Sequence, residues 1–119
     1  MIGLNGMQNV VFQLSNNDTF VQKSLIRQLN NVLKAIEEIN IEVVTHGYGI
    51  DLLLKNTTFE NSIIALHDQG VTFVVCKNTL DQQKISEKAL LEFAAVAPSG
   101  LAHVITRQSE GWSYIKASF

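Results

Sequence analysis

The chain predicts an α/β domain built on a largely parallel sheet with helices on both faces. Three observations predict it. Strand-like and helix-like stretches alternate from one end to the other. The run VTFVV at residues 71–75 is apolar throughout rather than alternating, the pattern of a strand covered on both faces. Finally, 119 residues with 46% hydrophobic and 17% charged side chains suit one self-sufficient core, not a disordered chain. Right-handed crossovers limit the topologies but leave strand order open.

Residues 7–119 read as this single domain. Residues 1–6 carry no pattern and read as an N-terminal extension or a cloning remnant. QNVVFQLS at 8–15 is β-branched and aromatic, and Asn16, Asn17 and Asp18 break it and cap a helix. From 20 to 39, Val21, Leu25, Leu29, Val32, Ile36 and Ile39 recur at steps of three and four, an amphipathic helix that Asn40 closes. IEVVT at 41–45 is the second strand. It runs into His46-Gly47-Tyr48-Gly49, where glycine permits backbone geometry other residues avoid. A short helical turn fits residues 50–54. Thr57 and Glu60 stand at capping-box spacing before a helix that Gly70 ends.

The central strand at 71–75 leads directly to Cys76. Residues 79–91 form one broken helix or two short ones, with Asn78 and Ser86 as caps. Residues 93–97 are a weak fourth strand, and Pro98-Ser99-Gly100 a turn. Residues 101–109 are a helix with Leu101, Val104 and Ile105 expected inward. Gly111 ends it before a last strand at 112–116, where Trp112 and Tyr114 share a face as core or subunit-contact residues.

Several classes of function are set aside by composition. The formal charge is −2, with only two arginines, Arg27 and Arg107, so broad nucleic-acid binding is not expected. No apolar stretch is long enough for a membrane span, and no basic segment precedes one as a signal peptide requires. A single cysteine makes neither an intrachain disulfide nor a structural zinc site, and fits a reducing compartment, the cytoplasm. The three histidines lack metal-ligand spacing, so no metal is expected; no nucleotide-cradling glycine motif is present, and no cofactor is implied.

Ligands of open parallel sheets bind outside the carboxyl ends of the strands. That edge gathers Asn16, His46, Gly47, Cys76, Lys77 and Asn78. A thiol between a strand end and a helix start is stabilised as thiolate by N–H groups and the helix dipole, and Lys77 adds charge if it points the same way. Such a Cys76 is expected to be partly accessible with a lowered pKa; the alternative is a small buried hydrophobe. His46 could deprotonate or orient Cys76, bind an anion, or simply bond a loop backbone group. Asn16 reads as a turn former or a polar wall of the pocket. His67 suits the last turn of its helix structurally, His103 is expected to be exposed without a special role, and Ser99 reads as an N-cap.

Taken in order, VVFQLSNND, LNNVLKAI, VVTHGYGI, VTFVVCKNTL, APSGLAHVITRQSEGW and the closing YIK resemble the DsrE/DsrF-like family, closest to its small stand-alone members. The resemblance spans nearly the whole chain from Met7. It implies a three-layer α/β/α fold with about five strands and assembly into homotrimers or hexamers. Relatives in sulfur relay carry a persulfide on a cysteine after a central strand, and Cys76 matches that position. His46 matches the stand-alone pattern without a transferable role. The chain shows nothing of the paired subunits that dedicated relays use, and some relatives lack the cysteine. The expected function is a sulfur carrier acting through Cys76, with a sulfur donor or acceptor protein as partner. The rivals are a binding module for a small anionic or nucleotide-like ligand, and a redox sensor, which would lack a resolving cysteine.

Overall fold

Among the described residues five strands, β1 (Gln8–Leu14), β2 (Ile39–Thr45), β3 (Thr72–Cys76), β4 (Ala95–Ala97) and β5 (Ser113–Lys116), alternate with four α-helices. These are α1 (Thr19–Ala35), α2 (Glu60–Asp68), α3 (Lys77–Gln83) and α4 (Gly100–Ser109). Short 3₁₀ segments at Gly47–Leu53 and Glu87–Ala89 complete them. This structure, a computed structural model, describes residues 7–118; the expected 1–6 extension lies outside the described residues.

The sheet is parallel throughout, in the order β4-β3-β2-β1-β5. That order decides the layers. The steps β1 to β2, β2 to β3 and β3 to β4 all move the same way across the sheet. Right-handed crossovers therefore put their connections on one face. The step β4 to β5 returns across the whole sheet, so its helix must lie on the other. Burial follows. Val21, Leu25 and Leu29 of α1, Ile63 and Leu66 of α2 and Leu80 of α3 pack with Val10, Phe12, Val43 and Phe73 in the larger core. Val104 of α4 packs against Val11, Val44, Val74 and Ala97 in the smaller core.

The local signals mostly produce the elements they predict. Asp18 accepts from Phe20 N–H (2.8 Å) and Val21 N–H (3.2 Å) to cap α1. Ser99 Oγ accepts from Ala102 N–H (3.2 Å), and Ser86 caps the Glu87–Ala89 turn. Gly70 and Gly111 follow α2 and α4 with φ of +98° and +94°.

Six expectations are corrected. Helix α1 ends at Ala35, not residue 39, because Ile39 is needed opposite Gln8 in the β1–β2 register. Asn40 consequently lies in β2, where its side chain donates to Asn9 Oδ1 (2.9 Å) instead of closing a helix. The capping box does not form: Phe59 occupies the cap position of α2, and Glu60 Oε1 accepts from Asn56 N–H (3.0 Å). Asn78 lies inside α3, whose cap residue is Cys76, the last residue of β3. Leu101 and Ile105 face outward, 54% and 64% exposed, because the i, i+4 pair Gly100–Val104 takes the sheet-facing side of α4. The last strand begins one residue late. Trp112 packs on the smaller core from just before β5, an edge strand, and Tyr114 is 38% exposed. Among the described residues no helix is long and apolar enough to cross a membrane.

Candidate functional site

The connections after β3 and β4 leave to opposite faces of the sheet. Between such neighbours the backbone parts and a crevice opens at the carboxyl edge. Cys76 is paired with Ala97 in the register at that point, so it stands where the two connections part. It also stands at two helix starts, α3 directly after it and α4 beginning at Gly100.

The sulfur is surrounded by donors. Burial taken alone would push the Cys76 thiol up. The Gly100 backbone N–H, the Thr79 hydroxyl, and the backbone N–H groups of Thr79 and Asn78 outweigh burial and hold it below the ordinary thiol value. Thr79 is itself buried, and its Oγ accepts from Gly47 N–H at 3.0 Å. Accepting from Gly47 through a lone pair leaves the hydroxyl its one proton for the sulfur. The glycine loop after β2 is thus tied to the thiol through one side chain. Cys76 is only 6% exposed, less accessible than its position in the sequence suggests, because α4 closes over it. The approach is tight: a Cβ on Gly100 would lie 3.1 Å from Cys76 Cβ, 3.3 Å from Val44 Cγ1 and 3.5 Å from His46 Cβ.

The same closeness puts His46 beside Cys76. Its Nε2 lies 2.7 Å from Gln13 Nε2, and Gln13 Oε1 accepts from the Tyr114 hydroxyl. Burial first, and then the Lys116 charge, hold the imidazole below its ordinary value. Gly47 and Asn78 reach the thiol by Thr79 and by a backbone N–H respectively. Lys77 does not: it is paired with Asp81 at 2.5 Å, i to i+4 on α3. Asn16 Oδ1 accepts from Asp18 N–H (3.0 Å), which makes it a turn former. His67 stacks on Phe93 with centroids 4.1 Å apart.

Sequence reasoning missed one cluster. Glu42 is buried on the α4 face of β2. It accepts from His103 Nε2 (2.7 Å) and, bidentately, from Arg107 Nε (2.9 Å) and Arg107 Nη2 (2.8 Å). The Arg107 guanidinium also lies 4.6 Å from the Trp112 ring centroid. His103 is therefore a half-buried partner rather than an exposed bystander. The signal was present: a carboxylate within a doubly covered strand needs a partner, and His103 and Arg107 share a helix face. Among the described residues no group of three His, Cys, Asp or Glu side chains is placed to hold a metal ion.

The titration of this site is a direct check. The alkylation midpoint of Cys76 should lie below about 8.5. Thr79→Val, which removes a hydrogen bond to the charged form, should raise it by about one unit or more, and Thr79→Ser should restore it. An unchanged midpoint in Thr79→Val would remove the hydroxyl from the account.

A family model described as the DsrE/DsrF-like family matches residues 8–117. Among solved structures, MTH1491 from Methanobacterium thermoautotrophicum, a protein of unknown function, is 34% identical with a TM-score of 0.90, over 92% of this chain and 98% of that one. BT1422 from Bacteroides thetaiotaomicron, a conserved protein of unknown function, is 14% identical with a TM-score of 0.73, over 94% and 99%. The ychN protein of E. coli is 16% identical with a TM-score of 0.71, over 92% and 99%. These last two likenesses are of fold alone. No curated protein matches the chain. The match over nearly its whole length, on a five-stranded parallel sheet, places the chain in the DsrE/DsrF-like family, a family associated with sulfur relay.

Proposed function

We propose that the protein is a sulfur carrier that accepts sulfane sulfur on Cys76. The observation that supports this best is the set of four donors around a single buried cysteine at the carboxyl ends of β3 and β4. A thiolate held by neutral donors is nucleophilic at neutral pH, and the same donors suit the persulfide anion that replaces it. The Cys76 thiolate attacks the terminal sulfur of a donor persulfide, R–S–SH. A new S–S bond forms, the donor's S–S bond breaks, and R–S⁻ leaves with the electron pair. The product is Cys76–S–SH, which loses its proton to solvent. Attack by an acceptor thiolate on the outer sulfur reverses the sequence and regenerates Cys76. The oxidation level of the transferred sulfur is carried over from the donor, so no external oxidant is needed. A cysteine exposed to only 6% favours a small terminal sulfur atom over a bulky disulfide. The chain's only cysteine has no neighbour with which to collapse into an intrachain disulfide.

Inorganic polysulfide should add about 32 Da to the wild-type chain, one sulfur atom in thiol–disulfide chemistry. A reducing thiol should reverse the gain, and Cys76→Ser should show none. A wild-type chain that alkylates at Cys76 yet gains no sulfur would be a binding module instead, with the cysteine lining its pocket.

A further inference from the structure

We propose that Gln13 is a positioning residue that fixes His46 as a neutral imidazole with its proton on Nδ1, so that His46 acts as a hydrogen-bond donor and not as the base for Cys76. This deepens the sulfur-carrier reading and rests on it for its chemical consequence. The tautomer itself follows from the hydrogen bonds alone.

Gln13, in β1, is paired with Val44 on one side and Lys116 on the other, so its side chain lies on the α4 face with His46 and Tyr114. Its amide is held at both ends. Oε1 accepts from the Tyr114 hydroxyl, and Nε2 lies 2.7 Å from His46 Nε2. An amide nitrogen only donates. The ring atom facing it must therefore be the acceptor, a bare Nε2, and the ring's one N–H is at Nδ1. Protonating Nε2 would set N–H against N–H unless the amide turned over, which would also require the Tyr114 hydroxyl to reverse from donor to acceptor.

The charges around the ring act in the same direction. Lys116, from β5, disfavours imidazolium, as does burial. From β5, Tyr114 is hydrogen-bonded to the Gln13 that faces the ring, and from β3 Cys76 stands beside it. From α4, Gly100 approaches His46, where a Cβ on it would lie 3.5 Å from His46 Cβ, and it carries no charge. The thiolate thus depends on the backbone and Thr79 donors, not on an imidazolium partner. Nε2 is already occupied by Gln13 and is withdrawn from proton exchange with the thiol.

Long-range proton–nitrogen NMR of the histidine-labelled full chain, followed between about pH 5 and 8, tests this. Wild type should show the Nδ1–H pattern for His46 and a titration midpoint below about 6.5. Gln13→Glu supplies an acceptor and a negative charge. It should move the proton to Nε2 and raise the midpoint by about one unit or more. Tyr114→Phe, a milder change that frees the amide, should give a mixture of tautomers. An Nε2–H wild type, or variants that keep the wild-type pattern, would overturn the assignment. Polysulfide loading is measured separately. An Nδ1–H histidine in a chain that accepts no sulfur would defeat the carrier reading and leave this one standing, and loading with the opposite tautomer would do the reverse.

Discussion

Replacing Gly49 by alanine is expected to destabilise the domain by about 3 kcal/mol or more, the upper range for overpacking a core. A Cβ there would sit 2.2 Å from the Leu14 carbonyl oxygen and 2.7 Å from its carbon. These are backbone atoms at the end of β1, and the same carbonyl accepts from His46 N–H at 3.1 Å. Neither group can swing aside as a flexible side chain would. Either the Gly47–Leu53 turn lifts from the sheet or β1 frays at its carboxyl end. Thermal unfolding should shift down by about 10 °C or more. Gly70→Ala is the control. Its φ is +98°, but nothing lies within 4 Å of the added atom. It should lose only about 1–2 kcal/mol, the penalty of left-handed backbone for an L-residue. Equal losses in the two variants would show that the close approach at Gly49 relaxes freely.

The second large effect is at Glu42. Burial alone would raise this carboxyl. The hydrogen bonds from Arg107 and His103 and their charges overcome burial and hold it below the ordinary carboxylate range. Its folded pKa is thus depressed, so the stability it contributes is present above the unfolded value of about 4.3 and is lost as pH falls through the folded value. Glu42→Gln should reduce stability at neutral pH by about 2 kcal/mol, below the usual loss for a broken buried pair because Arg107 keeps contact with water. The gap between variant and wild type should close as the pH is taken down through the depressed folded value. Urea unfolding at a series of pH values measures both. A gap that persists undiminished in acid would mean that shape, not charge, sets the value of this contact. The position matters for the site because Glu42 clamps α4 to the sheet, and α4 brings the Gly100 N–H to Cys76.

Much of this architecture was legible from short stretches of sequence. Asp18, Ser86 and Ser99 cap the turns or helices that follow them, and Gly70 and Gly111 end helices, because each effect acts within four residues along the chain. The alternation of elements and the place of Cys76 at a strand end depend on equally local patterns. Errors arose where a local pattern had two readings. Ile36 and Ile39 continue a helical stripe, yet β-branched residues suit a strand equally well, and pairing with Gln8 resolved the conflict in favour of β2 for Ile39. Leu101 and Ile105 lie on a plausible apolar stripe of α4, but which face of the helix meets the sheet depends on what lies beneath it.

By itself, then, the sequence determined an α/β chain of alternating elements with one thiol between a strand and a helix start. Tertiary structure decided that β5 returns past three strands to the far edge, which puts α4 alone on its own face of the sheet. It thereby decided that Gly100, His46 and Thr79, drawn from three different connections, meet at Cys76, and that Glu42 finds His103 and Arg107 more than sixty residues away. The physical reason is one of range. Caps, turns and periodicity are settled by neighbours along the chain, whereas strand order and the convergence of loops are settled by which pairings bury the most surface without leaving a polar group unpaired.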